Sequence, residues 1–202
     1  MHVSFFYAEE PDHKILNDIN IYIQPGKFIG IAGPSGCGKS TLIKVIDKLA
    51  QTEGDVYIGS AELSSLSRQI LADNVALVPQ TPFLIAGTVY HNICYGLKRE
   101  ASLEEVKIAA QKANIASEIE RLPGAYQFVL SEGGANLSGG HGQRIALARI
   151  FLKRPRILIL DEATAALDNT SEKLPQREIE KMKEACGTTV IYCTQADSPA
   201  KL

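Results

Sequence analysis

A glycine-rich octapeptide near the start of the chain restricts its possible folds more than any other stretch. Residues 33–40 read Gly-Pro-Ser-Gly-Cys-Gly-Lys-Ser and fit the spacing G-x-x-x-x-G-K-[ST]. The apolar run Phe28–Ala32 predicts a short buried strand before it, and residues 41–46 predict a helix after it. A strand, a glycine loop and a helix in this order direct backbone N–H groups and a helix N-terminus at one anion. The stretch therefore predicts a binding site for a nucleoside triphosphate.

The residue types within this loop suit that task. Its glycines allow backbone conformations and close approaches that a Cβ atom would obstruct. Lys39 supplies a cation for the β- and γ-phosphates, and the Ser40 hydroxyl is a ligand for Mg²⁺. The loop positions expected to bind the nucleotide are Gly33, Ser35, Gly36, Cys37, Gly38, Lys39, Ser40 and Thr41. The alternative is an ordinary glycine-rich turn, which the flanking strand and helix disfavour.

The length, net charge, cysteine pattern and apolar runs of the sequence argue against several other classes of protein. Its 202 residues suit one domain, or a domain with a sub-lobe, that buries a sizeable core. The net charge of −2 gives no general surface for nucleic acid or anionic membrane. The four cysteines form no C-x-x-C pair, which argues against disulfides and zinc. No apolar run approaches the roughly 20 residues of a membrane span, so we expect the chain to be soluble by itself.

Strand and helix signals alternate on both sides of a mostly helical stretch. Between residues 81 and 152, strand signals are scarce, and Ser102 is a plausible N-cap for a helix that continues through Leu103 and Val106. Strands are predicted at residues 3–7, 15–23, 28–32, 54–59, 75–79, 157–160 and 188–193. This alternation implies an α/β core with an inserted helical lobe.

Two adjacent carboxylates, Asp161 and Glu162, follow the apolar run at residues 157–160. Open α/β sheets place their ligand crevice at the carboxyl ends of such strands. Asp161 is suited to binding Mg²⁺ opposite the phosphate loop, and Glu162 to taking a proton from an attacking water. Alone, the pair is equally compatible with a solvated turn. The loop upstream makes the metal and catalytic roles the better interpretation.

A second anion site is predicted far downstream, where residues 137–144 read Leu-Ser-Gly-Gly-His-Gly-Gln-Arg. A serine and two glycines that open a helix present backbone N–H groups to an anion. One phosphate loop has no use for two such sites, so the second is expected to serve a nucleotide held by another subunit. The alternative is a flexible loop with an N-cap serine.

Together these motifs resemble the nucleotide-binding domain of an ABC transporter over essentially the whole chain. Residues 137–144 resemble its LSGGQ-x-QR signature, with His141 in place of the first glutamine. Residues 160–168 are similar to its Walker B and D-loop run, and residues 78–80 to the start of its Q-loop. Residues 88–96 and 122–134 resemble the helical subdomain of ABC exporters.

The resemblance implies an α/β fold: a P-loop NTPase (RecA-like) core with an N-terminal antiparallel β region and an inserted α-helical subdomain. It divides the chain into a first core part at residues 1–80, a helical subdomain with the signature at 81–152, and a second core part at 153–202. The chain ends at Leu202, before the C-terminal helices usual in the family.

The resemblance also implies the function, that of an ATPase driving transport. Two nucleotide-binding domains, as a homodimer or a pair of different halves, would sandwich two MgATP head to tail and move attached transmembrane domains. The chain would lie at the cytoplasmic face of a membrane, reach the membrane only through that partner, and bind no nucleic acid. Each ATP would be held by Lys39, Ser40, Gln80 and Asp161 of one subunit and closed over by Ser138 and Gly140 of the other.

Further site residues follow from the same resemblance. Tyr7 lies where the family has its adenine-stacking aromatic, with Phe5 and Phe6 as rivals. Gln80 is expected to bind the metal and to sense the γ-phosphate. Gly139 and Asp168 are expected to contribute to nucleotide binding beside the signature and in the D-loop.

One departure from the family concerns the histidine that normally follows the last strand, next to the γ-phosphate. Here Gln195 takes that place, or Thr194 after a shift of one residue. A glutamine cannot become a cation at neutral pH, so we expect intact ATP binding and weakened turnover. The alternative function is therefore an ATP-binding dimerisation module with weak or no hydrolysis.

A soluble ABC ATPase acting on DNA or the ribosome is disfavoured, because the chain has neither a basic stripe nor a long heptad region.

Overall fold

The computed structural model describes residues 3–7, 14–50, 52–137, 139–162 and 173–195. The strands are β1 (Val3–Phe6), β2 (Lys14–Ile19), β3 (Phe28–Ala32), β4 (Tyr57–Ile58), β5 (Ala61–Glu62), β6 (Val75–Val78), β7 (Gly87–Thr88), β8 (Val129–Leu130), β9 (Ile157–Asp161) and β10 (Thr189–Thr194). The helices are α1 (Lys39–Ile46), α2 (Arg68–Asn74), α3 (Val89–Cys94), α4 (Leu103–Lys112), α5 (Ala116–Glu120), α6 (Gly139–Lys153) and α7 (Lys173–Cys186).

The centre of the fold is a parallel sheet in the order β3-β10-β9-β6. The central strands β9 and β10 are buried over most or all of their length, as expected for strands covered on both faces. The burial predicted for β3 is wrong, because each of its five residues is at least partly exposed at this side of the sheet. The register pairs Thr194 with Ala32 and Cys193 with Asp161. The carboxyl ends of β3, β10 and β9 therefore lie side by side, and the segments that leave them start at one edge of the sheet.

The predicted antiparallel region at the N-terminus is confirmed, since β1 pairs with β2 in that direction. The predicted extent of β2 is wrong, because the strand ends at Ile19 and not at residue 23. Val3, the first described residue of β1, pairs with Ile19, so no described residue of β1 lies opposite residues 20–23. Ile21 and Tyr22 are accordingly exposed.

The helical lobe confirms the predicted insertion of helices between the two parts of the sheet. Ser102 caps α4, as the sequence predicts, with its side chain accepting a hydrogen bond from the Glu105 amide. The longest helix of the lobe, α6, packs against α3, α4 and α7 and also against β6. It therefore joins the lobe to the sheet. In the described part of the chain, none of the helices is both long and apolar enough to cross a membrane.

Several local details differ from the sequence predictions. The helix α2 was not predicted, although Ser67 caps it. Only Tyr57 and Ile58 of the predicted strand at residues 54–59 are paired. The sequence predicts that the helix that starts at residues 41–46 runs to about Leu49, but it ends at Ile46, because Lys48 adopts a left-handed φ of 56°. The α/β fold class is confirmed.

Candidate nucleotide-binding site

A cleft of about 400 Å³ opens where the carboxyl ends of the central strands meet. Most of the side chains singled out for nucleotide and metal binding line it, although they come from distant parts of the sequence. The lining residues are Tyr7, Ile15, Ser35, Gly36, Gly38, Lys39, Ser40, Thr41, Gln80, Asp161, Glu162 and Gln195. Among these described lining residues, Ile15 is the one that sequence reasoning missed. Side chains alternate along β2, so Ile15 lies on the face of the strand that the buried Leu16 does not occupy.

The glycine loop curls tightly over the start of α1. Gly38 has a φ of 97°, a left-handed conformation that a side chain would strain. A Cβ atom added there would also come within 3.0 Å of the Ile15 carbonyl oxygen. At Gly33, an added Cβ atom would lie 2.6 Å from the Cys37 sulphur, so the close approach of these two loop positions requires glycine.

Lys39 extends its ammonium group across the mouth of this loop. Its Nζ donates to the carbonyl oxygens of Gly33, at 2.7 Å, and Pro34, at 2.9 Å, and the residue is only 7% exposed. It also lies 3.9 Å from Glu162 Oε1. The loop thus presents one largely buried cation to the cleft, where a phosphate would bind.

Ser40 and Asp161 stand together on the floor of the cleft. The Ser40 hydroxyl donates a long hydrogen bond of 3.4 Å to Asp161 Oδ2. Burial raises the pKa of the Asp161 carboxyl, and the neighbouring Glu162 carboxylate raises it further, while Ser40 and Lys39 oppose both effects. A hydroxyl and a carboxylate side by side are hard oxygen ligands of the type Mg²⁺ takes beside a triphosphate, so these residues fit that ion.

Glu162 is the residue that three other side chains of the cleft contact. Its backbone has a φ of 47°, and its amide donates to the Cys193 carbonyl oxygen at 3.0 Å. Its carboxylate Oε2 accepts hydrogen bonds from Gln80 Nε2, at 3.1 Å, and from Gln195 Nε2, at 3.3 Å. Two neutral amides and one ammonium therefore surround a single carboxylate.

Of the two alternatives for the position of the missing histidine, Gln195 is the one that lines the cleft. Thr194 is 3% exposed, and its hydroxyl donates to the Gln195 carbonyl oxygen at 3.3 Å. The Gln80 side chain donates a hydrogen bond to Glu162, and the metal contact expected of Gln80 stays a prediction.

Tyr7 is the aromatic residue that lines the cleft, and it is 40% exposed. Its ring meets the ring of the buried Phe5 edge to face, with centroids 5.0 Å apart and planes at 86°. Phe5 therefore supports Tyr7 from the core, and Tyr7 presents an accessible ring. Stacking of Tyr7 on adenine stays a prediction.

The signature residues are only partly described. Ser138 and Asp168 lie outside the described residues, so their predicted contacts stay predictions. Gly139 and Gly140 begin α6, and Gly140 is not among the described residues that line the cleft of its own chain. Further along α6, the Gln143 side chain donates to the Gln80 carbonyl oxygen at 3.0 Å. Sequence reasoning gave Gln143 no role, although helical spacing puts it on the same face as Gly139.

Comparison with known proteins identifies the fold and the motifs. The sequence model of the family described as "ABC transporter" matches residues 16–165. The chain is 44% identical over 194 residues to ATP-binding cassette sub-family B member 5 of Homo sapiens, which covers 95% of this chain and 15% of that protein. It is 39% identical over 191 residues to an uncharacterized ABC transporter ATP-binding protein of Bacillus subtilis, covering 94% of this chain and 33% of that protein.

A solved structure of a bacterial Atm1-family ABC exporter with ATP bound superposes with a TM-score of 0.87 at 34% identity. That match covers 96% of this chain and 33% of the other. The chain thus spans a third or less of the length of these relatives. On its sequence, its fold and its site, the chain belongs to the ABC transporter family, as a nucleotide-binding domain of the exporter type.

Proposed function

We propose that this chain binds and hydrolyses MgATP as the motor domain of an ABC exporter. It would pair head to tail with a second nucleotide-binding domain, a second copy or a different half, around two nucleotides. ATP binding and hydrolysis would drive movement of attached transmembrane domains. The chain would lie at the cytoplasmic face of their membrane. The observation that carries the proposal is the convergence of Lys39, Gln80 and Gln195 on the Glu162 carboxylate in one cleft.

The residues of the cleft divide the work of phosphoryl transfer, which consists mostly of positioning and electrostatic stabilisation. The loop amides and the Lys39 ammonium would hold the β- and γ-phosphates and neutralise their charge. Ser40 and Asp161, with Gln80 nearby, would hold Mg²⁺, which would supply positive charge to stabilise the reacting phosphate group. Tyr7 would stack on the adenine.

Glu162 is suited to be the general base. Its carboxylate would accept a proton from a water molecule as the water oxygen bonds to the γ-phosphorus. The bond from that phosphorus to the bridging oxygen would break, leaving ADP and inorganic phosphate. Because Gln80 and Gln195 donate to the same oxygen, Oε2, the Glu162 carboxylate is fixed in orientation before the reaction.

The second subunit would complete each site. At the start of α6, the amides of residues 138–140 would act as donors and close over the γ-phosphate held by the partner. An isolated half-site would then be slow until the partner's amides arrive, which makes ATP the link between the subunits.

The test is a steady-state ATPase assay of the wild-type chain against Glu162→Gln. We expect Mg²⁺-dependent hydrolysis by the wild type and a fall in kcat of about 10²- to 10⁴-fold in the variant, with ATP binding retained. Lys39→Ala is the control, since it should lose binding as well. Nothing in the described site favours the alternative of a module that only binds ATP. Equal rates in wild type and Glu162→Gln would overturn the proposal and favour that alternative.

A further inference from the structure

The segment that follows β6, residues 80–85, is fastened to α6 at several points along its length; we call it the Gln80 segment. Gln143 Nε2 donates to the Gln80 carbonyl oxygen at 3.0 Å. The Arg149 guanidinium donates to the Phe83 carbonyl oxygen through two nitrogens, each at 3.2 Å. Between them, a Cβ atom added to Gly142 would lie 3.2 Å from Pro82 Cγ, so the helix and the segment are in close contact.

At the end of the Gln80 segment that is distant from Gln80, near Phe83 and Ile85, further contacts hold the backbone in place. Arg149 also donates from Nε to the Asn92 carbonyl oxygen at 2.9 Å, and its guanidinium lies 5.3 Å from the centroid of the Tyr95 ring. Burial lowers the pKa of Arg149. The Asn92 side chain binds both the amide and the carbonyl oxygen of Ile85. These contacts leave the Gln80 segment little freedom to move without α6.

At the other end of the segment, Gln80 connects α6 to the Glu162 carboxylate. Gln143 lies one turn after Gly139 on α6, and it holds the backbone of Gln80. The Gln80 side chain donates to Glu162 Oε2 at 3.1 Å. A continuous chain of contacts thus runs from the head of α6 to Glu162 within one molecule.

We propose that Gln143 is a positioning residue that fixes Gln80 to α6, so that the head of α6 and the Glu162 carboxylate of the same chain move together. The inference rests on the proposed function, in which the head of α6 binds the partner's nucleotide. Occupancy of the partner's site would then set the position of Gln80 and Glu162 in the chain's own site. Gln143 thereby couples the two nucleotides of a dimer through each chain.

A second observation separates this role from simple packing. Gln143 is 7% exposed, and its Oε1 atom is buried without a hydrogen-bond partner. Replacing Gln143 with methionine, which has a similar shape, removes the bond to Gln80 but also removes this unpartnered oxygen. We therefore expect Gln143→Met to leave the melting temperature nearly unchanged, whereas it frees the Gln80 segment.

The experiment uses mixed dimers of two differently tagged copies, each dimer retaining one Glu162. In the first, Gln143→Met and Glu162→Gln are on the same chain, so the active site contains a wild-type Gln143–Gln80 bond. In the second, the two substitutions are on opposite chains, so the active site lacks that bond. Both dimers carry the same substitutions, and each is therefore the control for the other's folding.

We expect the first dimer to match a reference dimer that carries Glu162→Gln alone on one chain. The second should have a kcat roughly two- to tenfold lower, the effect of one neutral hydrogen bond, with an unchanged KM for ATP. The reverse pattern would place the action of Gln143 on the partner's nucleotide and overturn the proposal. Equal rates in the two dimers would reduce Gln143 to a packing residue and overturn it as well. An inactive wild-type dimer would overturn the proposed function itself, and this inference with it. An inactive reference dimer beside an active wild-type dimer would show that an occupied partner site is not enough for turnover, which contradicts the coupling by occupancy proposed here.

Discussion

At Glu162 the amides of two glutamines share one carboxylate oxygen, and the chemistry of an amide sets what this site can do. Gln195 donates through a neutral N–H at 3.3 Å, and its carbonyl oxygen remains able to accept. An imidazole in that place would offer a donor that can also carry a charge near neutral pH. The site therefore orients its base, but position 195 adds no group that can carry a charge.

We predict that Gln195→His increases the single-turnover rate of ATP hydrolysis by up to about 10²-fold, the scale of a weak acid–base contribution. ATP affinity should change little, because the loop and Lys39 supply most of the phosphate contacts. Rapid-quench measurement on enzyme in excess over ATP isolates the step from product release. Gln195→Asn, which keeps an amide on a shorter side chain, is the control and should not accelerate the reaction. A Gln195→His rate no higher than wild type would refute the prediction.

The limits of sequence reasoning at this scale are clear from the same residues. The loop positions were predictable because their roles depend on local spacing, as the left-handed Gly38 illustrates. The contact between Gln195 and Glu162 was not predictable. It depends on the pairing of β10 with β9 and on a φ of 47° at Glu162, neither of which a local pattern encodes.

At the scale of single elements, α4 has the most complete cap among the described helices. Ser102 accepts from the Glu105 amide at 3.2 Å, and Glu105 accepts from the Ser102 amide at 2.8 Å. Arg99 binds both carboxylate oxygens of Glu105. The guanidinium first, and the Ser102 amide second, lower the pKa of Glu105 from 4.5 to about 2.

This lowered pKa gives stability a definite pH dependence. Because the folded state holds the charged carboxylate more strongly than the unfolded state, the stabilisation is full above pH 4.5 and is lost as the pH falls towards 2. We predict that Glu105→Gln is less stable than wild type at pH 7 and that the difference shrinks at pH 3. Urea unfolding at both pH values measures it. Glu104→Gln removes a charge from the same turn without touching the cap, and a pH-independent loss in Glu105→Gln would contradict the prediction.

Elements differed in how well the sequence predicted them. The strands β3 and β9 were predictable as strands from their runs of largely apolar residues, but the burial expected of β3 was not found, because none of its residues is fully buried. The helix α2 was overlooked because only Leu71 of its seven residues is buried, so no apolar stripe marks it. The capping serine, Ser67, was the available signal. The end of β2 could not be predicted, because it depends on which residues of β1 lie opposite.

At the scale of the whole molecule, the helix α6 links the signature residues at its start to the nucleotide cleft. The helix α6 begins at the signature glycines, packs against β6 and holds the Gln80 segment through Gln143. The nucleotide cleft and the signature turn therefore belong to one chain but serve different nucleotides under the proposed function. Under that proposal, each cleft would be completed by the signature turn of a second molecule, with the two subunits head to tail.

This geometry predicts that nucleotide controls the association state. ATP held by Lys39 and the loop would present its γ-phosphate to the signature turn of a second chain, and hydrolysis would remove that contact. Glu162→Gln should therefore accumulate as a dimer with saturating MgATP, seen as a doubling of molar mass in light scattering after size-exclusion chromatography. With ADP it should stay monomeric, because ADP has no γ-phosphate for the signature turn to contact. Without Mg²⁺ we also expect a monomer, since the ion that Ser40 and Asp161 would hold is then missing from the cleft. Lys39→Ala in the same background is the control and should not pair. A Glu162→Gln chain that binds ATP yet stays monomeric at every concentration would reduce the motor to a simple ATP-binding domain.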